Sequence, residues 1–302
     1  MNSLLYAAVV FIWGTTWIAI AAQHGEISPV VGVLWRFGIA ATILFIALFL
    51  LKKLKPLTKR DHAFCALQGL CIFGINFVCI YSAVAYINSG LESVIFSMAV
   101  LFNAINSRIF FKQRISANFI PAALLGLLGM LALFWHDLTA TTFQWQTFMA
   151  IGLCAFGTYC FSLGNMISLR HKQQNADLLS TTAYAMLYGA LFMGAVALFR
   201  GENLLPHMSI VGWSALMYLS LIGSVAGFTI YFILIARIGA GPAAYSTLLF
   251  PLVALSISTV WEGYVWTAAA VLGVMLILLG NYILFSPPKF LTKILNKEKA
   301  VI

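Results

Sequence analysis

The chain has 302 residues, 62% of them hydrophobic and 8% charged, with a formal net charge of +9. Soluble domains carry about 25% charged residues, so one large water-soluble domain is excluded. The apolar residues come in blocks of roughly 18–26, and about 20 such residues cross the hydrocarbon of a bilayer as a helix. The composition therefore predicts an all-α, polytopic membrane protein.

Ten spans are predicted, at 4–22, 30–51, 64–87, 91–111, 118–135, 147–169, 178–199, 210–235, 242–261 and 265–285. The first ends in Ala19-Ile20-Ala21, which suits signal cleavage, but no Lys or Arg precedes it, so it is read as a span. Fourteen of the seventeen Lys and Arg residues fall in the loops 52–62, 112–117, 170–177 and 236–241 and in the tail. The opposite loops carry Arg200 alone. Positive charge stays in the cytoplasm, so both termini are expected there. The same distribution makes the basic balance a matter of orientation and excludes nucleic acid as a partner. The tail sets Phe290, Leu291, Ile294 and Leu295 on one helical face opposite its lysines, which suits the surface of the inner leaflet; a frayed tail is the other reading.

The chain also repeats itself. Ala85-Tyr86-Ile87-Asn88-Ser89-Gly90 recurs 151 positions later as Ala236-Arg237-Ile238-Gly239-Ala240-Gly241. The same offset pairs Ser107 with Ser258, Phe110 with Trp261, Ala122 with Gly273 and Gly129 with Gly280. Repeats of five spans enter the membrane from opposite sides because five is odd. The expected architecture is ten helices in two inverted five-helix repeats, 1–137 and 138–286, followed by a basic cytoplasmic tail, 287–302. In such folds the substrate site lies near the midplane between the halves.

Polar residues within spans need a reason, because a charge in hydrocarbon costs about 2.5–3.5 kcal/mol on insertion scales. Arg36 sits about two turns into span two. Its planar fork of donors suits a substrate carboxylate or phosphate; pairing with a protein carboxylate or helix carbonyls is the structural alternative. Glu92, at a similar depth in span four, has three readings: ligand for a substrate ammonium, proton-coupling group, or salt-bridge partner of Arg36. Arg108 is expected to snorkel to the headgroups. Span four places Glu92, Phe96, Ala99, Asn103 and Asn106 on one face. Span three does the same with Gln68, Ile72, Asn76, Cys79 and Ala83, span six with Cys154, Thr158, Phe161 and Asn165, span seven with Thr181, Tyr184 and Tyr188, and span eight with Ser220, Ser224 and Tyr231. Such stripes either bond neighbouring helices or line a wet cavity. Trp145, Trp213, Trp261 and Trp266 at span ends read as interfacial anchors. Gly239, Gly241 and Pro242 suit a tight cytoplasmic turn. Pro251, in mid-span, suits a hinge in helix nine, with Val100 as its rough counterpart in the first repeat. Gly126, Gly129, Gly273 and Gly280 allow close helix packing.

With Trp13-Gly14-Thr15, Trp35-Arg36-Phe37, Phe156-Gly157-Thr158, the repeated Ala85–Gly90 and Ala236–Gly241 segments, Pro251, Glu262, Gly273 and Gly280, the chain resembles the drug/metabolite transporter superfamily in its ten-span EamA-type branch. The resemblance covers nearly the whole chain. It implies export or exchange of small metabolites, amino acids and their derivatives above all. It also implies a central cavity lined by spans one to four and six to nine, with spans five and ten as scaffold. Two positions depart from the family pattern: Gln113 stands where a Glu usually ends span four, and Ala122 where Gly is usual.

The function these residues support is secondary transport of an amino acid or related zwitterion across the inner membrane by alternating access. Trp13, Arg36, Asn76, Glu92, Phe96, Asn103, Thr158 and Tyr184 are the substrate-site candidates, with Trp13 and Tyr184 as aromatic walls. Glu92 is the proton-coupling candidate. No cofactor or metal is expected. The five cysteines make no Cys-x-x-Cys pair, no Gly-x-x-x-x-Gly-Lys-Ser/Thr loop is present, and the five histidines read as loop residues on both sides. The expected partners are a small-molecule substrate, a proton and the lipid bilayer, with the chain as monomer or homodimer. Rival readings are a membrane enzyme acting on lipids, a channel or helper subunit, and a carrier of cationic drugs or nucleotide-linked metabolites. Arg36 weighs against the cationic substrates.

Overall fold

The computed structural model of the chain describes residues 2–114, 118–135, 145–238, 243 and 246–285. Gly239, Gly241 and Pro242, where a turn is predicted, the basic tail and His136 lie outside the described residues. Each predicted span is met by a helix. They are α1 (Asn2–Ala21), α2 (Pro29–Leu50), α3 (Lys59–Ala83), α4 (Ser89–Phe111), α5 (Phe119–Leu133), α6 (Trp145–Gln173), α7 (Leu178–Phe199), α8 (Ile210–Ile238), α9 (Ser246–Trp261) and α10 (Ala268–Phe285). Among the described residues, seven are long and apolar enough to cross a membrane, and the described parts of α5, α9 and α10 give shorter apolar helices.

Sequence sets the helix starts locally. Ser28, Thr58, Asn88, Asp177 and Ser209 each hold extended backbone and accept a backbone N–H from the first turn of α2, α3, α4, α7 and α8. A short oxygen-bearing side chain there satisfies a donor that the helix leaves unpaired. At its far end α6 runs to Gln173, beyond the predicted boundary at 169, and carries Arg170, His171 and Lys172 in its last turn. Basic groups suit the negative end of the helix dipole. This corrects the assignment of all histidines to loops: His62 lies in α3, and His171 is buried in α6.

The packing shows the inverted repeat directly. Helix α1 packs on α9 and α8, α4 on α6 and α9, α3 on α6 and α7, α2 on α7 and α8, and α5 on α10. Exchanging each helix for its counterpart five places along leaves this set of partners unchanged: α1–α9 becomes α6–α4, and α3–α7 becomes α8–α2. Two irregularities follow the same relation. Residues Gly69–Asn76 of α3 and Leu219–Ala226 of α8, 150 positions apart, are both π-helical, a form that recurs at functional sites. Helix α4 breaks at Ser97–Met98, close to Val100, the counterpart of Pro251 in α9. Ser93 and Ser97 there turn their hydroxyls back onto the carbonyls of Gly90 and Val94, both at 2.6 Å, which competes with the helix ladder.

Helices α5 and α10 meet backbone to backbone. A Cβ on Gly273 would lie 2.6 Å from the Gly129 carbonyl oxygen, and one on Gly280 would lie 2.7 Å from that of Ala122. The two contacts are images of each other under the repeat. Ala122 is accommodated because its partner is the glycine, whereas a Cβ on Gly126 would meet Leu101 at an ordinary 3.6 Å. Ile120, Leu124, Leu127 and Leu131 of α5, with Leu272, Met275 and Leu279 of α10, are exposed. On a membrane protein such a face suits acyl chains.

Candidate functional site

Between the halves lies a cavity of about 30 Å³, space for one or two waters. Its walls are aromatic: Trp13 and Trp17 of α1, Phe96 of α4, Phe161 of α6, Phe228 of α8 and Phe250 of α9. The rings pack tightly. Trp13 lies 5.1 Å from Phe228 and 4.7 Å from Tyr231. Trp17 stacks on Phe250 at 5.9 Å, and Phe96 meets Phe161 at 4.8 Å. Trp13 is fixed further by its indole N–H, which donates to the Gly223 carbonyl at 3.2 Å. That carbonyl belongs to the π-helical segment of α8.

Arg36 is the charged residue lining this cavity, and it is 1% exposed. Its Nε donates to Ser224 Oγ at 2.9 Å, its guanidinium carbon stands 4.2 Å from the centre of the Phe77 ring, and Tyr81 lies nearby. Tyr81 in turn donates to Gln23 Oε1 at 3.0 Å. Nη1 is buried without a hydrogen-bond partner. Among the described residues the ion pairs are Asp61–Arg170 and Arg200–Glu202. Arg36 and Glu92 therefore form no salt bridge, and that reading of Glu92 is corrected. The physical reason is that α4 turns Glu92 toward α6, where Cys154 Sγ lies 4.0 Å from Oε1, while Arg36 looks toward α3 and α8.

Of the predicted site residues, the structure brings Trp13, Arg36 and Phe96 together around the cavity. Asn76, Glu92, Asn103 and Thr158 gather instead where α6 meets α3 and α4. A Cβ on Gly157 would lie 3.0 Å from the Asn76 carbonyl, Asn165 Nδ2 donates to Asn103 Oδ1 at 3.4 Å, and the Thr158 hydroxyl bonds its own helix at the Cys154 carbonyl. Tyr184 is not brought to the cavity. It packs edge-on against Phe45 and His62 and stacks on Tyr188, and among the described residues α7 contributes nothing to the cavity lining. Sequence reasoning passed over Trp17, Tyr81, Phe228 and Phe250. Trp17 carried a usable signal, one helical turn from Trp13.

At one end of the bundle the helix starts are held by carboxylates. Glu262 accepts from both the backbone N–H and the hydroxyl of Ser89, at 3.2 and 2.6 Å. Glu26 does the same for Ser209, at 3.0 and 2.7 Å, and Ser28 bonds Glu202. At the opposite end Arg170 Nη1 meets Asp61 Oδ1 at 2.7 Å and stacks on Phe64 at 4.0 Å. Arg108 is exposed near the end of α4, as snorkelling requires.

Among the described residues, ten helices in two inverted repeats surround a mostly apolar, singly charged cavity, an architecture that suits a membrane carrier. The model of the EamA-like transporter family matches residues 2–135 and 148–286, and the chain belongs to that family. Protein PagO of Salmonella typhimurium is 24% identical over 93% of this chain and 91% of its own length. A probable amino-acid metabolite efflux pump of the same organism is 23% identical over 93% and 94%. The uncharacterized inner membrane transporter YedA of Escherichia coli is 26% identical over 93% and 92%. A solved structure, titled only as the crystal structure of a protein, superposes with a TM-score of 0.68 at 15% identity, covering 93% of this chain and 95% of that one, which shows the fold. The chain is a transporter of the drug/metabolite type, and not an enzyme.

Proposed function

We propose that the chain moves an amino acid or related zwitterion across the inner membrane, outward or in exchange, by alternating access of its two halves. The observation that carries the reading is Arg36: a buried guanidinium in an aromatic cavity, held by Ser224 and, among the described residues, without a carboxylate partner. A buried cation is costly unless paired, and a substrate carboxylate supplies the missing charge together with acceptors for Nη1. The aromatic walls take the substrate's apolar part. Naming of a relative as an amino-acid metabolite efflux pump supports the same class.

A cavity of about 30 Å³ is far smaller than the roughly 300–1,000 Å³ of ligand pockets, so loading requires the halves to part. The break in α4 and Pro251 in α9, which occupy near-equivalent places on α4 and α9, are the positions where that motion bends the helices. The carboxylate ties at the outer end and the Asp61–Arg170 pair at the inner end are what each opening releases. The lysine distribution supports termini in the cytoplasm.

Counterflow in proteoliposomes tests the reading. Vesicles are preloaded with unlabelled amino acids, and one label at a time is added outside. Transient accumulation of a label by the wild type, absent for folded Arg36→Ala, is the expected result. No accumulation of any amino acid by folded wild-type protein contradicts it.

A further inference from the structure

Helix α6 carries a second polar feature beside the cavity. Cys154, Thr158, Ser162, Asn165 and Ser168 follow one another at steps of three and four, and all are buried. Polar partners meet them from α3 and α4. Glu92 faces Cys154, and Asn165 bonds Asn103. Asn106 Nδ2 donates to Ser162 Oγ at 2.9 Å, and Gln68 Nε2 donates to Ser168 Oγ at 2.6 Å. From Glu92 to Asn106 the seam runs about 21 Å at 1.5 Å per residue. Past Ser168 it reaches His171 and the Asp61–Arg170 pair.

The seam is incompletely bonded. Glu92 Oε2, Asn76 Oδ1, Asn103 Nδ2, Asn106 Oδ1, Asn165 Oδ1 and Gln68 Oε1 are all buried without a hydrogen-bond partner. More than nine in ten buried polar groups are satisfied in native proteins, so six orphans along one interface are not packing accidents. Groups of this kind hold ordered water. None of these residues lines the aromatic cavity, which α4 and α6 close on their side with Phe96 and Phe161.

We propose that this α3/α4/α6 seam is a water-lined proton path, separate from the substrate cavity, with Glu92 as the group that takes up and releases the proton. Uptake converts the Glu92 carboxylate to the neutral acid, and release toward His171 and Asp61 restores it. The amides of Asn103, Asn106, Asn165 and Gln68 order the water between. The titratable groups facing Glu92 are Cys154 from α6, with Cys79 of α3 beyond it, and Glu262 from the end of α9; α1, which also packs there, carries no charged residue. The inference rests on the carrier reading and adds its energy source.

The test uses the full chain in liposomes containing a trapped pH dye, with a mixture of the common amino acids as the probe and counterflow measured in parallel. The wild type is expected to move protons with substrate and to accumulate label against a gradient when a pH difference is imposed. Asn106→Leu and Gln68→Leu are expected to keep counterflow and lose both proton movement and pH-driven accumulation. Asn106→Ser, which retains a polar atom, is expected to keep all three. Glu92→Gln is expected to abolish proton movement, with Glu92→Asp restoring part of it. Counterflow without proton movement in the wild type overturns this proposal and leaves the carrier reading standing, as do leucine variants or Glu92→Gln moving protons like the wild type. Absence of wild-type counterflow overturns both.

Discussion

Arg36 of α2 donates through Nε to Ser224 of α8 at 2.9 Å, so the cavity's charge is aimed by a residue from the opposite repeat. Ser224 lies in the π-helical segment Leu219–Ala226, next to Gly223, whose carbonyl holds Trp13. One irregular stretch of α8 thus orients both the charge and an aromatic wall.

Removing that acceptor should misdirect the guanidinium. A hydrogen bond to a charged group contributes about 1.5–3 kcal/mol, and 1.4 kcal/mol is a factor of ten in affinity. Ser224→Ala is expected to raise the half-saturation concentration of counterflow roughly tenfold or more while the protein still folds in detergent. Unchanged half-saturation would show that Phe77 and Tyr81 suffice to hold Arg36.

The α5–α10 contact predicts a stability effect without a transport effect. Gly273→Val would place side-chain atoms against the Gly129 carbonyl and the Leu133 backbone, and overpacking of this kind costs about 1–3 kcal/mol. A lower melting temperature in detergent is expected, with normal counterflow per folded molecule at low temperature, because neither helix touches the cavity.

Asp61 and Arg170 are 13% and 16% exposed as side chains, so the pair sits between the surface regime of about 0.2–1 kcal/mol and the costlier buried one. Asp61→Asn and Arg170→Gln are each expected to lower the melting temperature and to speed substrate release at their end of the bundle. The double variant is expected to be less unstable than the sum, as a double-mutant cycle would measure.

Much of this was legible in the sequence because hydrophobic blocks and a 151-residue offset are long-range patterns that no single contact can disturb. The spans, the inverted repeat and the burial of Arg36 followed from them. Placement within the bundle was less legible. Tyr184 and Trp13 both read as aromatic walls of the site, yet only a helix's rotation decides which reaches the cavity, and α7 turns Tyr184 to Phe45 and His62. Glu92 and Arg36 share a depth, but α4 and α2 face different neighbours. The π-helical segments left no mark in composition. His171 was hidden because a basic cluster reads as a loop, whereas here it completes the last turn of α6.

The carboxylate tie at Ser89 predicts an asymmetry. Glu262→Ala removes both acceptors of Ser89 at the start of α4, and loss of such a cap costs about 0.5–2 kcal/mol. Gln113, the counterpart in the first repeat, is exposed just past the end of α4, so Gln113→Ala is expected to leave the melting temperature unchanged while Glu262→Ala lowers it.

Recognition of a substrate carboxylate by Arg36 is what the proposed function rests on. It is tested most directly by competing labelled counterflow of an amino acid against the same unlabelled amino acid and against its primary amide, which keeps the shape and the ammonium and removes the negative charge. The free acid is expected to compete and the amide to fail, with Arg36→Ala transporting neither. Equal competition by acid and amide in the wild type would contradict the account and reduce Arg36 to a structural residue.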